Sequence, residues 1–430
     1  DGHGIDWPIR YKDIAPWYDH VEKFAGISGS LEGLDQLPDG KFLPPMEMNC
    51  VEVEAKQKIE KAFPTRKMII GRCANLTEPT KEHLELGRGR CQYRNECEKG
   101  CSFGASFSSL SATLPAAQRT NNLTTVTDAI VHSVTYDNVS KQATGVKIID
   151  ANTKNYRQYS GRIIFLCAST LGSTQIMLNS ISKSFPNGVA NSSDTLGHYL
   201  MDHIFMSGAS GEHPGFQENY YSGRRPNGIY IPRYRNVTEQ DDRFLRGYGF
   251  QGGASRPNWR RGLNMQGIGL ELKEKLREPG SWQFHLGGFG EMLPDKRNRV
   301  LLDKNKQDQW GIPLLNIECE LHDNELKMLD AMSDDAAAML SAAGIINIQK
   351  YNEAAPPGLA IHEMGTARMG HNPSSSVLNK FNQTHDVSNL FVTDGSAMTS
   401  SACQNPSLTY MALTARASAY AVQLLKEGKI

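Results

Sequence analysis

The spacing of apolar residues along the chain predicts a succession of helices and strands. Apolar side chains recur at the interval of one helix face from Tyr11 to Phe24, and Gly26 is placed to end that helix. The same criterion predicts the other main elements, namely strands over 122–137, 143–150, 162–167 and 389–393 and helices over 171–180, 323–343 and 406–426. We therefore expect a mixed α/β fold.

Residues 201–320 show a different pattern, with many aromatic, arginine and glycine residues and only short apolar runs. Four of these runs predict strands, near Gly228–Arg233, Gly247–Gln251, Trp282–Phe289 and Arg299–Leu302. Because short strands with one polar face are typical of antiparallel sheets, we expect an antiparallel β-sheet domain here. It would be inserted into an α/β domain that is built from separated segments of the chain.

Charge and composition exclude some partners. Of the 430 residues, 46 are Lys or Arg and 46 are Asp or Glu, so the formal net charge is zero. Nucleic acids and anionic membranes attract proteins with a surplus of positive charge, and we expect neither as a partner. No apolar run approaches the roughly 18 residues that a transmembrane segment needs. The function must therefore be read from individual sites.

The last seventy or so residues carry the clearest candidate chemistry. Asp394 and Gly395 follow the predicted strand 389–393, at the carboxyl end where open α/β sheets bind ligands, and Gly395 would let a phosphate approach the backbone closely. Asn405 and Pro406 mark the start of the last helix, because proline needs no N–H in the first turn. The positive end of that helix would face the strand end, which suits an electron-rich ring that becomes anionic on reduction.

These motifs resemble a known family. HEMGTARMG, which begins at His362, followed by DGSAMTSSACQNPSLTYMALTARA, which begins at Asp394, resembles the carboxyl-terminal signature of the glucose–methanol–choline (GMC) FAD-dependent oxidoreductases. The segments NLTTVTDAIVHSV, IIFLCASTLGSTQIMLNS and LGHYLMDHI resemble the middle of that family's flavin domain. The resemblance covers nearly the whole chain and is weakest between residues 210 and 345.

The resemblance implies a GMC-type FAD-binding domain with an inserted antiparallel β-sheet substrate domain. The implied division is a linking helical segment with a cysteine group (1–104), middle segments of the FAD domain (105–200), a β-rich substrate-binding domain (201–345) and a carboxyl-terminal FAD-domain segment with the catalytic motifs (346–430). It further implies FAD as the cofactor and the oxidation of a CH–OH group by hydride transfer to the flavin. A sugar, glycoside or sugar acid is the implied substrate class.

Residue by residue, the resemblance assigns His362 as the base for the substrate hydroxyl and Asn405 as its hydrogen-bonding partner. An imidazole that titrates near neutrality suits this proton transfer. The positions that match the family's cofactor contacts are Val131, Ala168, Asp394, Gly395, Pro406 and Ser407.

Each assignment has a structural alternative. A histidine in a glycine-rich loop is often structural, Asn405 could be only a helix cap, and Asp394 could only tie down a turn. Met201, Asp202 and His203 match a family element near the flavin, and we interpret them as mainly structural.

Three cysteines, Cys91, Cys97 and Cys101, lie within eleven residues. Three thiolates can hold a three-iron cluster, and a fourth ligand such as Cys73 or His83 would allow zinc. The stretch resembles one in bacterial membrane-linked sugar dehydrogenases of the GMC type, which implies a 3Fe-4S cluster, a small partner subunit and a cytochrome acceptor. The alternative is that the cysteines are ordinary structural thiols.

A set of arginines and tyrosines could line a sugar site, because sugars stack on aromatic rings and bind arginine. Its members are Tyr220, Tyr221, Arg224, Arg225, Tyr230, Arg233, Tyr234 and Arg235. The same mixture is also common on ordinary β-domain surfaces.

No G-x-G-x-x-G that follows a first strand and opens a helix, as a nucleotide-binding fingerprint does, occurs in the chain. In the GMC family it lies upstream of the segment where this chain starts, so we expect it to precede Asp1 in the parent enzyme. We predict a dehydrogenase that passes electrons to an acceptor other than oxygen. The alternatives are an oxidase of the same fold that uses dioxygen and a non-catalytic, metal-stabilised binding module. The sequence leaves the cellular compartment open.

Overall fold

A computed structural model describes residues 2–94, 97–219, 227–257 and 259–430. The helices in this part of the chain are α1 (Tyr11–Ala25), α2 (Cys50–Ala62), α3 (Lys81–Glu85), α4 (Leu114–Gln118), α5 (Ser169–Asn179), α6 (Gly269–Arg277), α7 (Asp323–Ala342) and α8 (Ser407–Lys426). The strands are β1 (Ile69–Ile70), β2 (Ala129–Asp137), β3 (Gln142–Asp150), β4 (Tyr156–Ser160), β5 (Ile164–Leu166), β6 (His198–Met201), β7 (His203–Ile204), β8 (Ser207–His213), β9 (Ile229–Ile231), β10 (Tyr248–Ser255), β11 (Trp282–Glu291), β12 (Arg299–Gln307), β13 (Pro313–Glu318), β14 (Ile346–Asn352), β15 (Met364–Thr366) and β16 (Leu390–Val392).

The first helix ends where its sequence predicts. Gly26 follows α1 in the left-handed conformation, with φ 76°, and its N–H bonds the carbonyl of Glu22 at 2.9 Å. Glycine adopts this conformation without steric cost, and a side chain here would also collide with Leu76. Both effects end the helix at this residue.

A seven-stranded antiparallel sheet forms the β-rich half of the molecule, in the order β1-β9-β10-β11-β8-β14, with β7 also paired to β11. One face of this sheet packs against α7 and α2, where Phe250, Phe284 and Leu286 are completely buried with Met328 and Met332. The other face carries the alternate, less buried residues of β10 and β11. The predicted antiparallel sheet is confirmed for β9, β10 and β11.

The placement of the Arg299–Leu302 strand in that sheet is wrong. These residues belong to β12, which pairs with β13 and β6 in a separate four-stranded sheet completed by β15. The turn over 308–311 lets β13 follow β12 directly as a hairpin, so β12 finds its partner nearby in sequence. Strand β14, which was not predicted, joins the edge of the seven-stranded sheet, and most of its residues are exposed.

The α/β half is built around a parallel pair of strands. Ile164 pairs with Leu390 and Leu166 with Val392, so the carboxyl ends of β5 and β16 lie side by side. The buried side chain of Asn389 links the antiparallel sheet β2-β3-β4 to this pair. Its amide bonds both the N–H and the carbonyl of Ala143, at 2.9 and 2.7 Å, and the carbonyl of Arg162 at 2.8 Å.

The family fold predicted from the sequence is therefore present as a mixed α/β architecture with antiparallel sheets. Across the residues that the structure covers, no helix combines the length and the apolar character that crossing a membrane would require.

Replacing Asn389 should destabilise the α/β half. Asn389→Ala would leave the buried N–H and carbonyl of Ala143 and the partly buried carbonyl of Arg162 without this partner, and we expect a loss of about 2–4 kcal/mol in the free energy of unfolding. Urea denaturation would measure it, with exposed Asn152→Ala as the control, for which we expect about 0.5 kcal/mol or less. Equal losses in the two variants would contradict this role of Asn389.

Candidate active site

The structure brings His362 and Asn405 together from distant parts of the chain. His362 lies just before β15, Asn405 lies two residues before α8, and Asn405 Nδ2 is 3.2 Å from His362 Nε2. Burial lowers the pKa of His362, so its ring is neutral near neutral pH. The assignment of these two residues as a base and its partner stays a prediction, but their proximity is what that assignment requires.

The helix-cap alternative for Asn405 does not hold. The residue at the cap position of α8 is Pro406, and no side chain caps this helix. The Asn405 side chain instead contacts His362 and accepts a hydrogen bond at Oδ1 from Gln251 Nε2, at 2.6 Å.

His203 lies behind His362 and fixes its tautomer. The two Nδ1 atoms are 3.0 Å apart, and His203 Nε2 bonds the carbonyl oxygen of Ala402. A carbonyl only accepts, so His203 Nε2 carries a proton. Burial, together with the neighbouring His362, lowers the pKa of His203 to about 4, so the ring is neutral and its Nδ1 is a lone-pair acceptor.

The proton between the two rings therefore belongs to His362 Nδ1. It follows that His362 Nε2 has no proton and presents a lone pair toward Asn405. The role predicted for His203 is mainly structural, but the structure places this residue in direct contact with the candidate base.

Asp202 holds the segment that carries His362. Its buried carboxylate accepts backbone N–H bonds at 2.7–3.2 Å from His203, Gly358, Ala360 and His362. Within this loop Ile361 has φ 55°, a conformation that is unfavourable for a β-branched residue. The hydrogen bonds to Asp202 offset that strain and fix the backbone of His362.

The strand ends of the parallel pair place three of the predicted cofactor contacts together. Ala168 follows β5 and is exposed, while Asp394 and Gly395 follow β16. Asp394 Oδ1 accepts bonds from the N–H and hydroxyl of Ser396, at 3.0 and 2.6 Å, and Oδ2 accepts one from Ser173. Burial raises the pKa of Asp394. Asp394 therefore ties down a turn, as the structural alternative suggested, and a cofactor role for it stays a prediction.

Contacts within the protein itself require a glycine at position 395. A Cβ atom here would lie 2.5 Å from the carbonyl oxygen of Glu363 and 2.9 Å from the hydroxyl of Tyr410. Glycine is thus required by packing, whether or not a phosphate approaches it. The Tyr410 hydroxyl is buried and has no hydrogen-bond partner among the described residues.

The other predicted cofactor contacts lie on two elements. Pro406 and Ser407 start α8, whose first turns pack beside the end of β16, where Thr414 donates to the carbonyl of Thr393 at 3.1 Å. Val131 lies on β2 and packs against the core of the α/β half.

A cavity of about 340 Å³ opens on the less buried face of the seven-stranded sheet. It is lined by Phe205, Met206, Asn227, Gly228, Gln251, Gly252, His285, Gly287, Gly288, Phe289 and Tyr351. None of these residues is Asp, Glu, Lys or Arg. Gln251 connects the cavity to Asn405, and the Phe289 ring lies 6.1 Å from that of His203 and 6.4 Å from that of His362. The candidate catalytic pair therefore adjoins a cavity whose described lining is mainly aromatic rings, amides and glycines.

Gln251 was not identified from the sequence as a functional residue. The only signal was its position in the predicted strand Gly247–Gln251, which carries no information about a contact 154 positions away.

Of the arginines and tyrosines predicted as a possible sugar site, four lie outside the described residues, namely Tyr220, Tyr221, Arg224 and Arg225. The other four make contacts away from the cavity. Tyr234 and Arg235 both bind the buried carboxylate of Asp335, at 2.6–2.8 Å. Arg233 pairs with Glu291, and the Tyr230 hydroxyl contacts Cys403 Sγ at 3.7 Å. These four residues stabilise the interior, and they do not line the cavity.

The predicted metal ligands do not form a ligand set. Cys91 is buried in an apolar cluster with Leu76 and Ala105, whereas Cys97 is exposed. Desolvation alone would raise the pKa of Cys101, but backbone N–H groups of residues 103–106 bond its sulfur and lower it. In the described ranges, which omit residues 95 and 96, no three His, Cys, Asp or Glu side chains are arranged to hold a metal ion. An iron–sulfur cluster is thus not supported.

Comparison with known proteins identifies the family. Two family models described as GMC oxidoreductase match the chain, one over residues 3–205 and the other over residues 294–414. The chain is 30% identical to 2-methyl-1,2-propanediol dehydrogenase of Mycolicibacterium austroafricanum, over 97% of this chain and 74% of that protein. The chain therefore belongs to the GMC oxidoreductase family and is an enzyme of the oxidoreductase class.

Two further relatives agree with this assignment. The fructose dehydrogenase large subunit of Gluconobacter japonicus is 25% identical over 99% of this chain and 76% of its own length. Among solved structures, pyridoxine 4-oxidase from Mesorbium loti superimposes with a TM-score of 0.55 at 16% identity, covering 96% of this chain and 77% of that one. At that identity the structural match supports the fold alone.

The buried, neutral His203 should make the protein sensitive to acid. Its pKa in the folded protein is about 4, below the ordinary value of 6.5, so the unfolded chain binds the proton first as the pH falls. This contribution to stability is present above pH 6.5 and is lost between pH 6.5 and 4, by an amount on the order of 3 kcal/mol. In His203→Gln the urea midpoint should fall less steeply over that range, while exposed His371→Gln should follow the unmodified protein. Identical pH slopes for all three proteins would contradict the neutral, buried state of His203.

Proposed function

We propose that this chain carries the catalytic residues of an FAD-dependent dehydrogenase that oxidises a CH–OH group of an uncharged polyol or sugar. The observation that carries the proposal is the unprotonated His362 Nε2, held beside Asn405 next to a cavity whose described lining has no Asp, Glu, Lys or Arg. An unprotonated base at the edge of a substrate-sized cavity is what the oxidation of an alcohol requires.

The residues at the edge of the parallel strands fit a flavin cofactor. The exposed backbone at Ala168, the positive end of α8 at Ser407 and the unpartnered Tyr410 hydroxyl all lie around the carboxyl ends of β5 and β16. We place FAD there, with Val131, Ala168, Asp394, Gly395, Pro406 and Ser407 as its proposed contacts. When bound, FAD supplies the acceptor for the hydride that leaves the substrate carbon.

The protein's own contribution is to orient the substrate and to take its proton. A substrate hydroxyl placed beside His362 Nε2 and Asn405 would give its proton to Nε2. The imidazolium that forms keeps its Nδ1–H bond to the neutral His203, so the proton transfer needs no rearrangement of that pair. Asn405 cannot compete for the proton, because an amide is not a base at neutral pH.

The proposed substrate class rests on the cavity lining. Phe205, Phe289 and Tyr351 offer apolar ring faces, and Asn227 and Gln251 offer amide groups, and among the described lining residues there is no Asp, Glu, Lys or Arg. Rings and amides suit a molecule with several hydroxyl groups. The relatives named for a propanediol and for fructose support this choice.

We further propose that electrons leave to an acceptor other than oxygen. Both relatives are named dehydrogenases, and one is named as the large subunit of an assembly, which supports a partner protein. A small subunit and a cytochrome remain a prediction from the family resemblance. Because the described cysteines form no ligand set, we assign no electron-transfer step to them.

Removal of the proposed base should abolish turnover while leaving the cofactor bound. In FAD-loaded His362→Gln, we expect flavin reduction by diols or sugars to slow by about 10²–10⁴-fold in anaerobic stopped-flow measurements. The exposed His371→Gln variant is the matched control and should react at the normal rate. A His362→Gln enzyme that reduces its flavin normally would rule out His362 as the base.

The electron acceptor that reoxidises the flavin distinguishes a dehydrogenase from an oxidase. With a fixed polyol substrate, we expect turnover with an artificial electron-accepting dye or quinone to exceed oxygen-dependent turnover at least about tenfold. The measurement is dye reduction under argon against hydrogen peroxide formation in air. Comparable rates in the two assays would favour the oxidase alternative.

A further inference from the structure

Gln251 extends from the substrate-side sheet toward the candidate base. On β10 it pairs with Gly287 of β11 and with Tyr230 of β9, so it belongs to the face of the sheet that bears the cavity. Gly287 has no side chain, and a Cβ there would lie 3.1 Å from the hydroxyl of Tyr351. The space left by this glycine keeps the sheet face open next to Gln251.

The side chain of Asn405 has two possible orientations, and only one matches its neighbours. With Nδ2 toward His362, Asn405 donates to the lone pair of Nε2, and its Oδ1 accepts from Gln251 Nε2 at 2.6 Å. In the reverse orientation Oδ1 would need a proton on His362 Nε2. Gln251 could accept from the amide nitrogen through its Oε1, so the unprotonated His362 Nε2 is what selects the observed orientation.

The hydrogen bonds thus run in one direction from the sheet to the far side of the site. Gln251 donates to Asn405, Asn405 to His362, and His362 to His203, which ends the series at a backbone carbonyl. The last acceptor cannot change its role, so each donor in the series is determined by the one after it.

We propose that Gln251 is a positioning residue whose hydrogen bond to Oδ1 holds the side chain of Asn405 in place, with its amide nitrogen beside the unprotonated His362 Nε2. This inference rests on the proposed function, because it gives Gln251 a role in the same proton transfer. Gln251 also connects the cavity wall to the proposed base, since it lines the cavity and hydrogen-bonds Asn405, which contacts His362.

Three other titratable groups contact or act on His362, and the experiments below leave them unchanged. They are His203 from β7, Asp202 from the position before that strand and Glu363 from the neighbouring position. His285 and Tyr351 line the adjoining cavity.

A double-mutant cycle tests whether Gln251 acts through Asn405. Gln251→Met removes the donor with little change in size, and we expect kcat to fall about 5–50-fold with a smaller change in KM. In an Asn405→Ala background the same substitution should cause no further loss, because the amide that Gln251 orients is absent. Gln283→Met, on the same sheet face roughly 13 Å along β11, is the matched control and should leave kcat unchanged. Additive losses, or a change confined to KM, would show that Gln251 only shapes the cavity.

A second measurement does not depend on activity. In Gln251→Glu the residue can only accept, so Asn405 should turn its amide nitrogen toward it and its Oδ1 toward His362. The His362 resonance, identified by its loss in His362→Gln, should then titrate about one pH unit higher in spectra of ¹⁵N-histidine-labelled enzyme. In the Asn405→Ala background most of this shift should disappear, and Gln283→Glu should not produce it.

The activity assay and the His362 titration together distinguish a failure of the role of Gln251 from a failure of the proposed function. An enzyme that oxidises polyols but shows the same His362 shift with and without Asn405 would overturn the role of Gln251 alone, because charge would then act through space. A shift that depends on Asn405 in a protein whose flavin no polyol reduces would support Gln251 and overturn the proposed function.

Discussion

The buried carboxylate of Asp202 is the interaction on which the site depends. It lies between β6 and β7, at the point where the chain passes from the four-stranded sheet to the seven-stranded sheet. No Lys or Arg within the described ranges forms an ion pair with it, so backbone N–H groups alone compensate its burial. A buried carboxylate without such donors would be strongly destabilising. The same bonds that make its burial tolerable also hold the loop that carries His362.

This arrangement explains how two separate halves form one site. The α/β half provides the strand ends and the start of α8, and the seven-stranded sheet provides the cavity and Gln251. His362 lies at their junction, fixed from one side by Asp202 and His203 and contacted from the other by Asn405. A displacement of either half would change the distance between the proposed base and its hydrogen-bonding neighbours.

The sequence predicted the elements of this site better than their connections. The helix ending at Gly26, the paired strands before Asp150 and the start of the last helix all follow from local patterns, because glycine, proline and apolar spacing act within a few residues. His362 and Asn405 were found because they lie in extended motifs. Gln251 and His203 were missed or undervalued, because their importance comes from contacts with residues more than 150 positions away. The cysteine group shows a different limit. Cys91 and Cys101 do share one apolar cluster, but the described residues do not arrange the cysteines as metal ligands, and a sequence spacing carries no information about that geometry.

The aromatic rings and amides that line the cavity have a consequence for selectivity. A wall of aromatic rings discriminates weakly between molecules that differ by one methylene group, roughly 10–200-fold, because apolar contacts carry little directional information. Amide groups discriminate much more strongly, since a partner that lacks the matching hydroxyl leaves them buried and unpaired. An enzyme built in this way would accept chains and rings of different size and would select mainly for the positions of their hydroxyl groups.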